Sequence, residues 1–222
     1  MRLEVTNTGA RAGDEVVQLY SHQRSSRVRQ PVKQLRAFQR VSLAPGATTT
    51  VTLRFALADL AHWDVTRGRW ALETSAHDLL AGASSADIRQ RATLRVRGET
   101  VPARDLTRTT RAESFDAYRG ALLVDESKAR GTAVSGGWIA FEDARLGPAF
   151  TARVAKETAG SGTVEVRLGS PSGRLLGTAT VAGAGDRYAY ATTTARLAPV
   201  RGRHDVYLVL GAGVRLATFR AG

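Results

Sequence analysis

Short runs of alternating apolar and polar residues, broken by Gly, Pro, Asn and Asp, fill the chain from end to end, and 3.6-residue periodicity is scarce. Leu3 and Val5 lead to the turn Asn7-Thr8-Gly9, and Val16, Val17, Leu19 and Tyr20 follow a turn at Gly13-Asp14. Val41 and Leu43 run into Pro45-Gly46, and Val51, Leu53 and Phe55 alternate with Thr52 and Arg54, which turns one face of that strand towards a core. Trp63, Trp70 and Leu72 add bulk. A run ending at Gly82 then leads through Ala83-Ser84-Ser85 to Ile88 and a strand from Ala92 to Val96. Residues 1–98 thus predict an antiparallel sandwich.

Residues 99–110 are polar, contain Pro102 and have no period, which predicts a linker. Beyond it, eight strands are expected: Ala121 to Val124, Trp138 to Phe141, Phe150 to Ala155, Val164 to Leu168, Leu175 to Val181, Tyr188 to Thr194, Val206 to Leu210 and Val214 to Phe219. The turn signals between them, such as Ser170-Pro171-Ser172-Gly173, suit a jelly roll over 111–222. The fold class is all-β, with two β-sandwich domains, the first fibronectin type III or immunoglobulin-like and the second a jelly roll. A length of 222 residues accommodates two small cores.

A formal charge of +12 raises the question of nucleic acid. The distribution answers it: residues 1–105 and 106–222 each carry 16 basic and 10 acidic side chains, with no basic tail. Only Lys33, Lys128 and Lys156 are lysines, so the excess is arginine spread along strand faces, and no nucleic-acid partner is expected. No apolar run approaches the ~20 residues of a membrane-spanning helix, so no membrane partner is expected either. With no cysteine, disulfides and thiolate chemistry are excluded. The segment from Met1 to Asn7 reads as a strand rather than a secretory signal.

His22, His62, His77 and His204 lack metal-ligand spacing, and each is expected as an ordinary buried or surface residue. In His77-Asp78 and His204-Asp205 strand neighbours point to opposite faces, which rules out a relay within either pair. Asp14 and Glu15 are expected to serve turn geometry, and Gly211-Ala212-Gly213 is expected to be a hairpin turn.

Four blocks in order carry a resemblance: Asn7-Thr8-Gly9 with Gly13 to Tyr20, Pro31 to Phe38, Leu43-Ala44-Pro45-Gly46, and Gly82 to Arg89. Together they resemble the fibronectin type III-like domain of glycoside hydrolase family 3, here expected to lack its first strand. The resemblance implies a structural appendage whose parent enzyme is secreted or extracellular and keeps its catalytic residues on upstream domains. No catalytic residue is expected in this chain.

The second half is similar to a family 6 carbohydrate-binding module, through Ala112-Glu113-Ser114-Phe115, Gly136 to Phe141, Val164 to Leu168, Leu176-Gly177-Thr178 and Gly202 to Val209. Such modules stack sugar rings on aromatic faces. The resemblance places the carbohydrate-binding cleft at Thr132, at Arg187 or Tyr188, and at Arg215, where only Tyr188 can stack; Arg187 and Arg215 could hydrogen-bond sugar hydroxyls or pair with uronic acids, the alternative being plain solvated arginines on a β-surface. Trp138 is expected in the core, and Tyr118, Phe141 or Tyr207 on a second surface. A structural calcium is implied at Glu113, although its second ligand would fall near Ala217, which has no side-chain oxygen. No other cofactor is required.

The expected function is that of a non-catalytic tail of a β-glucosidase or β-xylosidase, spacer plus binding module. Its partners would be a β-linked polysaccharide or oligosaccharide and the parent's catalytic domains. The alternative is a purely structural or dimerising tail with a degenerate cleft.

Overall fold

In the computed structural model, which describes residues 1–222 apart from the side chain of Ala184, the alternating runs become strands in two units, Met1–Val101 and Pro102–Gly222. No helix among the described residues is long and apolar enough to cross a membrane.

The first unit contains β1 (Arg2–Thr6), β2 (Gly13–Gln23), β3 (Gln34–Leu43), β4 (Thr48–Thr52), β5 (His62–Asp64), β6 (Arg69–Ala71), β7 (Ser75–Gly82) and β8 (Ile88–Val96). A four-stranded antiparallel sheet in the order β3-β2-β7-β8 is accompanied by the pair β1-β4 and the hairpin β5-β6. The alternation read in the sequence places Val17 and Leu19 of β2 beside Ala81 of β7 and against Val51 and Leu53, which together make the core. Asp14 and Glu15 lie within β2 rather than in a turn, and Asp14 pairs with Arg40 and Ser42 on the neighbouring strand.

The second unit comprises β9 (Arg104–Asp105), β10 (Thr110–Arg111), β11 (Ala117–Arg119), β12 (Leu122–Asp125), β13 (Thr132–Ser135), β14 (Trp138–Arg145), β15 (Ala149–Lys156), β16 (Ala159–Leu168), β17 (Arg174–Ala184), β18 (Ala191–Arg196), β19 (His204–Leu210) and β20 (Val214–Ala221). One sheet runs β12-β13-β20-β15-β18 with β10 beside β20. The other runs β11-β14-β19-β16-β17 with β9 beside β14. Between them Phe141 and Phe219 pack edge to face at 5.0 Å, and Phe150 lies 5.8 Å from Phe219. All three are essentially buried, and each contributes about 1.5–3 kcal/mol by burial.

Several expectations change here. Within 99–110, expected as a linker, β9 and β10 pair with β14 and β20, and Leu106 belongs to the second core. A single apolar residue between two very short strands leaves no period to read. The expected strand from Tyr188 begins only at Ala191, so Tyr188 and Tyr190 stand in the turn before β18. Gly211–Gly213 is not a hairpin turn, because β19 and β20 belong to opposite sheets; the turn carries the chain from one layer to the other. Phe141 is in the core and cannot serve a second surface. Trp138, expected in the core, is half-buried on the opposite face from Ile139, its ring 5.2 Å from that of Tyr207.

Candidate functional site

Three of the residues assigned to the cleft gather around Asp125 on the β12-β13-β20-β15-β18 sheet: Thr132 by strand pairing, and Arg215 and Tyr188 through their side chains. Asp125 and Thr132 are opposite each other at the end of the β12–β13 pair, Ser135 of β13 pairs with Arg215 of β20, and Ala155 of β15 flanks Arg215 on the other side. The turn before β18 brings Tyr188 to Asp125 and Arg215, and Tyr190 to Arg153.

Arg215 decides the geometry. Expected as a solvated residue, it is instead 1% exposed, the largest of the fully buried side chains. Its Nη2 donates to the Asp125 backbone carbonyl and, at 3.2 Å, to the Asp125 carboxylate, while Nε lies 4.0 Å from Glu157. A guanidinium is tolerated there because its charge is shared between two carboxylates and a carbonyl. The Tyr188 ring lies over it at 5.5 Å, a cation–π contact, and the Tyr188 hydroxyl donates to the Asp125 carboxylate at 2.6 Å. That hydrogen bond is the main reason the Asp125 carboxyl is held below the usual carboxylate range and the Tyr188 phenol above its ordinary value.

Tyr188 is therefore fixed at its hydroxyl and beneath its ring yet remains partly exposed. Alongside, the Arg153 guanidinium stacks on Tyr190 at 4.7 Å and pairs with Glu126, and burial raises the Tyr190 phenol. Arg187 is exposed in the same turn. Thr132 is half-buried, and its carbonyl accepts from Arg111 at 3.3 Å. Asp125 and Tyr190 escaped the sequence reading: Asp125 lies 63 residues from Tyr188 and 90 from Arg215, and no local pattern marks it.

Glu113 does not suit the implied calcium. It occupies the short 3-10 turn Ala112–Ser114, and one of its oxygens accepts from Arg111 Nε. The Arg111 guanidinium also lies 3.8 Å from Glu126, so a positive charge already sits between two carboxylates. The other Glu113 oxygen is buried without a hydrogen-bond partner, but it is alone. Ala217 is fully buried and offers no donor, and among the described residues no three His, Cys, Asp or Glu side chains gather to hold a metal. Calcium takes about six to eight oxygen ligands, and this donor set does not approach that.

The second surface keeps two of its three expected residues. Tyr118 is exposed at the edge strand β11, its ring 5.0 Å from Phe115. Tyr207 shares the open face of the sheet with Trp138, beside an Arg167–Glu165 pair at 2.7 Å.

The chain matches the fibronectin type III-like domain over residues 15–85 and the family 6 carbohydrate-binding module over residues 111–220. It is 49% identical over 87 residues to a β-glucosidase of Rhizobium radiobacter, covering 39% of this chain and 11% of that protein. It is 40% identical over 95 residues to probable β-glucosidase L of Aspergillus fumigatus, covering 43% of this chain and 13% of that one. The match therefore spans only about a tenth of the length of these relatives. Among solved structures, a family 6 carbohydrate-binding module from Clostridium cellulolyticum in complex with xylose is 32% identical, covering 54% of this chain and 99% of that one, with a TM-score of 0.49.

Proposed function

From a chain that is a fibronectin type III-like domain followed by a family 6 carbohydrate-binding module, homologous to the C-terminal region of glycoside hydrolase family 3 β-glucosidases, we propose a non-catalytic tail that holds a parent hydrolase on a β-linked polysaccharide or oligosaccharide outside the cell. The second unit is the binding element, and the first is a spacer that meets the parent's catalytic domains.

The supporting observation is the anchored Tyr188. A pyranose presents an apolar C–H face and a polar rim, so a ring immobilised before the sugar arrives loses little conformational entropy on binding. The Asp125 carboxylate, bonded to the ring's hydroxyl, and Arg187, exposed in the same turn, are the polar groups offered to hydroxyls. The arrangement offers stacking and hydrogen bonding.

Affinity electrophoresis of the full chain through gels containing xylan, mixed-linkage β-glucan or laminarin, against an inert neutral polymer, tests this reading. Retardation by one glycan that Y188A removes and Y207A leaves supports it and places the site at the Tyr188 end. Loss with Y207A alone would move the site to the open sheet face. Equal mobility in every gel would refute sugar binding.

A purely structural tail is the second reading. Its motive is the exposure of large apolar residues on the first unit, Val32 at 75% and Phe38 at 68% among them, in positions a partner domain would cover.

A further inference from the structure

At one end of the first unit the core face of the main sheet turns polar. The inward-facing series Val17 and Leu19 on β2 continues as Ser21 and Gln23, and the facing series Ala81 and Leu79 on β7 continues as His77, with Gln23 directly opposite His77. Between Leu19 and Tyr20 the β2–β3 register slips by one residue, and the extra residue is Arg36. A bulge of this kind re-aims a side chain: Arg36 Nε donates to the Ser21 hydroxyl at 2.7 Å, on the inward face. The hairpin β5–β6 closes the other side with His62, Trp63 and Trp70, and the space enclosed is a cavity of about 250 Å³.

The wall groups lack the partners that burial demands. His77 is 2% exposed, and neither of its ring nitrogens has a hydrogen-bond partner; the same holds for both nitrogens of His62. Buried polar atoms in native structures are nearly always paired, so four unpaired nitrogens around one cavity point to a polar occupant. Arg36 is held by three neutral oxygens, from Ser21, Gln34 and the Asp59 carbonyl, and joins no ion pair. The buried carboxylate of Glu73 lies 3.9 Å from His62 Nδ1 and accepts from Gln23, Ser26 and the Arg27 amide. Burial, and then the Arg36 charge, keeps the His77 imidazole below its ordinary value, and the Asp59 carboxylate acts on the Arg36 guanidinium through space without pairing with it.

We propose that this pocket of the fibronectin type III-like unit binds a single sugar ring bearing a carboxylate, a uronic acid, with its carboxylate on Arg36. A guanidinium engaged only by neutral oxygens and in no ion pair favours a planar anion over a neutral hydroxyl. The ring nitrogens of His62 and His77 supply the donors and acceptors that ring hydroxyls need, Gln23 Nε2 being already engaged by Ser25 and Glu73, and Trp63 and Trp70, in edge-to-face contact at 5.8 Å and 50% and 65% exposed, offer apolar faces at the rim. The volume is just under the ~300–1,000 Å³ of ordinary small-molecule pockets, room for one ring and not a chain. This site is on a different unit from the Tyr188 platform and does not depend on it.

Two of the three tryptophans rim the pocket, so in the full chain carrying W138F the fluorescence reports this site alone. Titration with D-glucuronate is expected to give a saturable change, at least tenfold stronger in affinity than with D-glucose or the methyl ester of glucuronate, and absent in R36M. No saturable response to glucuronate, an equal response to the neutral sugars, or a response undiminished in R36M would overturn the proposal. An equal affinity for acetate would overturn the sugar assignment. The comparison of ligands uses the unaltered pocket, so it stands even where R36M fails to fold.

Discussion

Tyr188 and Asp125 share a 2.6 Å hydrogen bond that ties the turn before β18 to the end of β12, and Asp125 in turn accepts from the buried Arg215. Through this chain of contacts a fully buried cation sets the position of a half-exposed aromatic ring.

The pH range of that tie follows from its two titrating partners. Asp125 is held below its unfolded value, so its contribution is present above about pH 4 and is lost as pH falls through the lowered value. Tyr188 is raised above its unfolded value, so the neutral donor is favoured below about pH 10 and lost as pH rises through the raised value. Retardation by a neutral glycan is expected to stay flat between about pH 5 and about pH 9. A midpoint near neutrality would show that another group controls the platform.

Tyr188→Phe keeps the ring and removes the tether. Its expected effect is a several-fold weaker retardation with the second unit's thermal midpoint nearly unchanged, because the bond is solvent-exposed and water replaces the lost partner. Arg215→Met, by contrast, removes the support beneath the ring and a buried charge-assisted contact, with an expected loss of about 1.5–3 kcal/mol in the second unit by calorimetry. Equal stability of the two variants would mean that Arg215 does not support the site.

A sharper stability contrast lies elsewhere in the second unit. Arg104, 3% exposed, makes a two-pronged contact with Asp116 at 2.8 and 2.6 Å, and Asp116 also accepts from the Glu142 amide at 2.8 Å. Removing one partner of a buried pair costs about 3–5 kcal/mol, the expected loss for D116A. The Arg89–Asp87 pair, with side chains 75% and 42% exposed, is expected to leave stability almost unchanged when D87A removes it, because solvent screens exposed charges. Urea denaturation of both variants provides the comparison.

Because Arg111 already supplies a cation at Glu113, excess EDTA is expected to leave the thermal midpoint of the second unit where it is, and added calcium to leave it unraised. A rise of several degrees with millimolar calcium would show that the guanidinium gives way to the ion. Arg111→Ala, which vacates the space between Glu113 and Glu126, is the variant in which a calcium response would first appear.

Much of the fold was legible in the sequence. Val51, Leu53 and Phe55 alternating with Thr52 and Arg54 announced a half-buried strand, and β4 extends through Thr52 with Val51 and Leu53 in the core. The strands that escaped reading, β5, β6, β9, β10, β11 and β13, are each four residues or fewer, too short for a period of two to stand out from chance. Of the candidate site, Tyr188 was legible through resemblance and Trp138 was misplaced. The two faces of β14 are distinguished only by what packs on them, since Trp138, Ile139, Ala140 and Phe141 are all apolar.

The sequence by itself determined the all-β architecture, the two sandwiches and the even spread of positive charge, because alternation, turn residues and composition are local properties of the chain. The tertiary structure decided which polar groups are buried and with whom. Arg215 reads like any of the other arginines until a strand ending 90 residues earlier places Asp125 against it, and His62 and His77 read as unrelated until a hairpin and a sheet bring them to one cavity. Desolvation and pairing depend on atoms distant in sequence, so the chemistry of both sites became visible only in the folded chain.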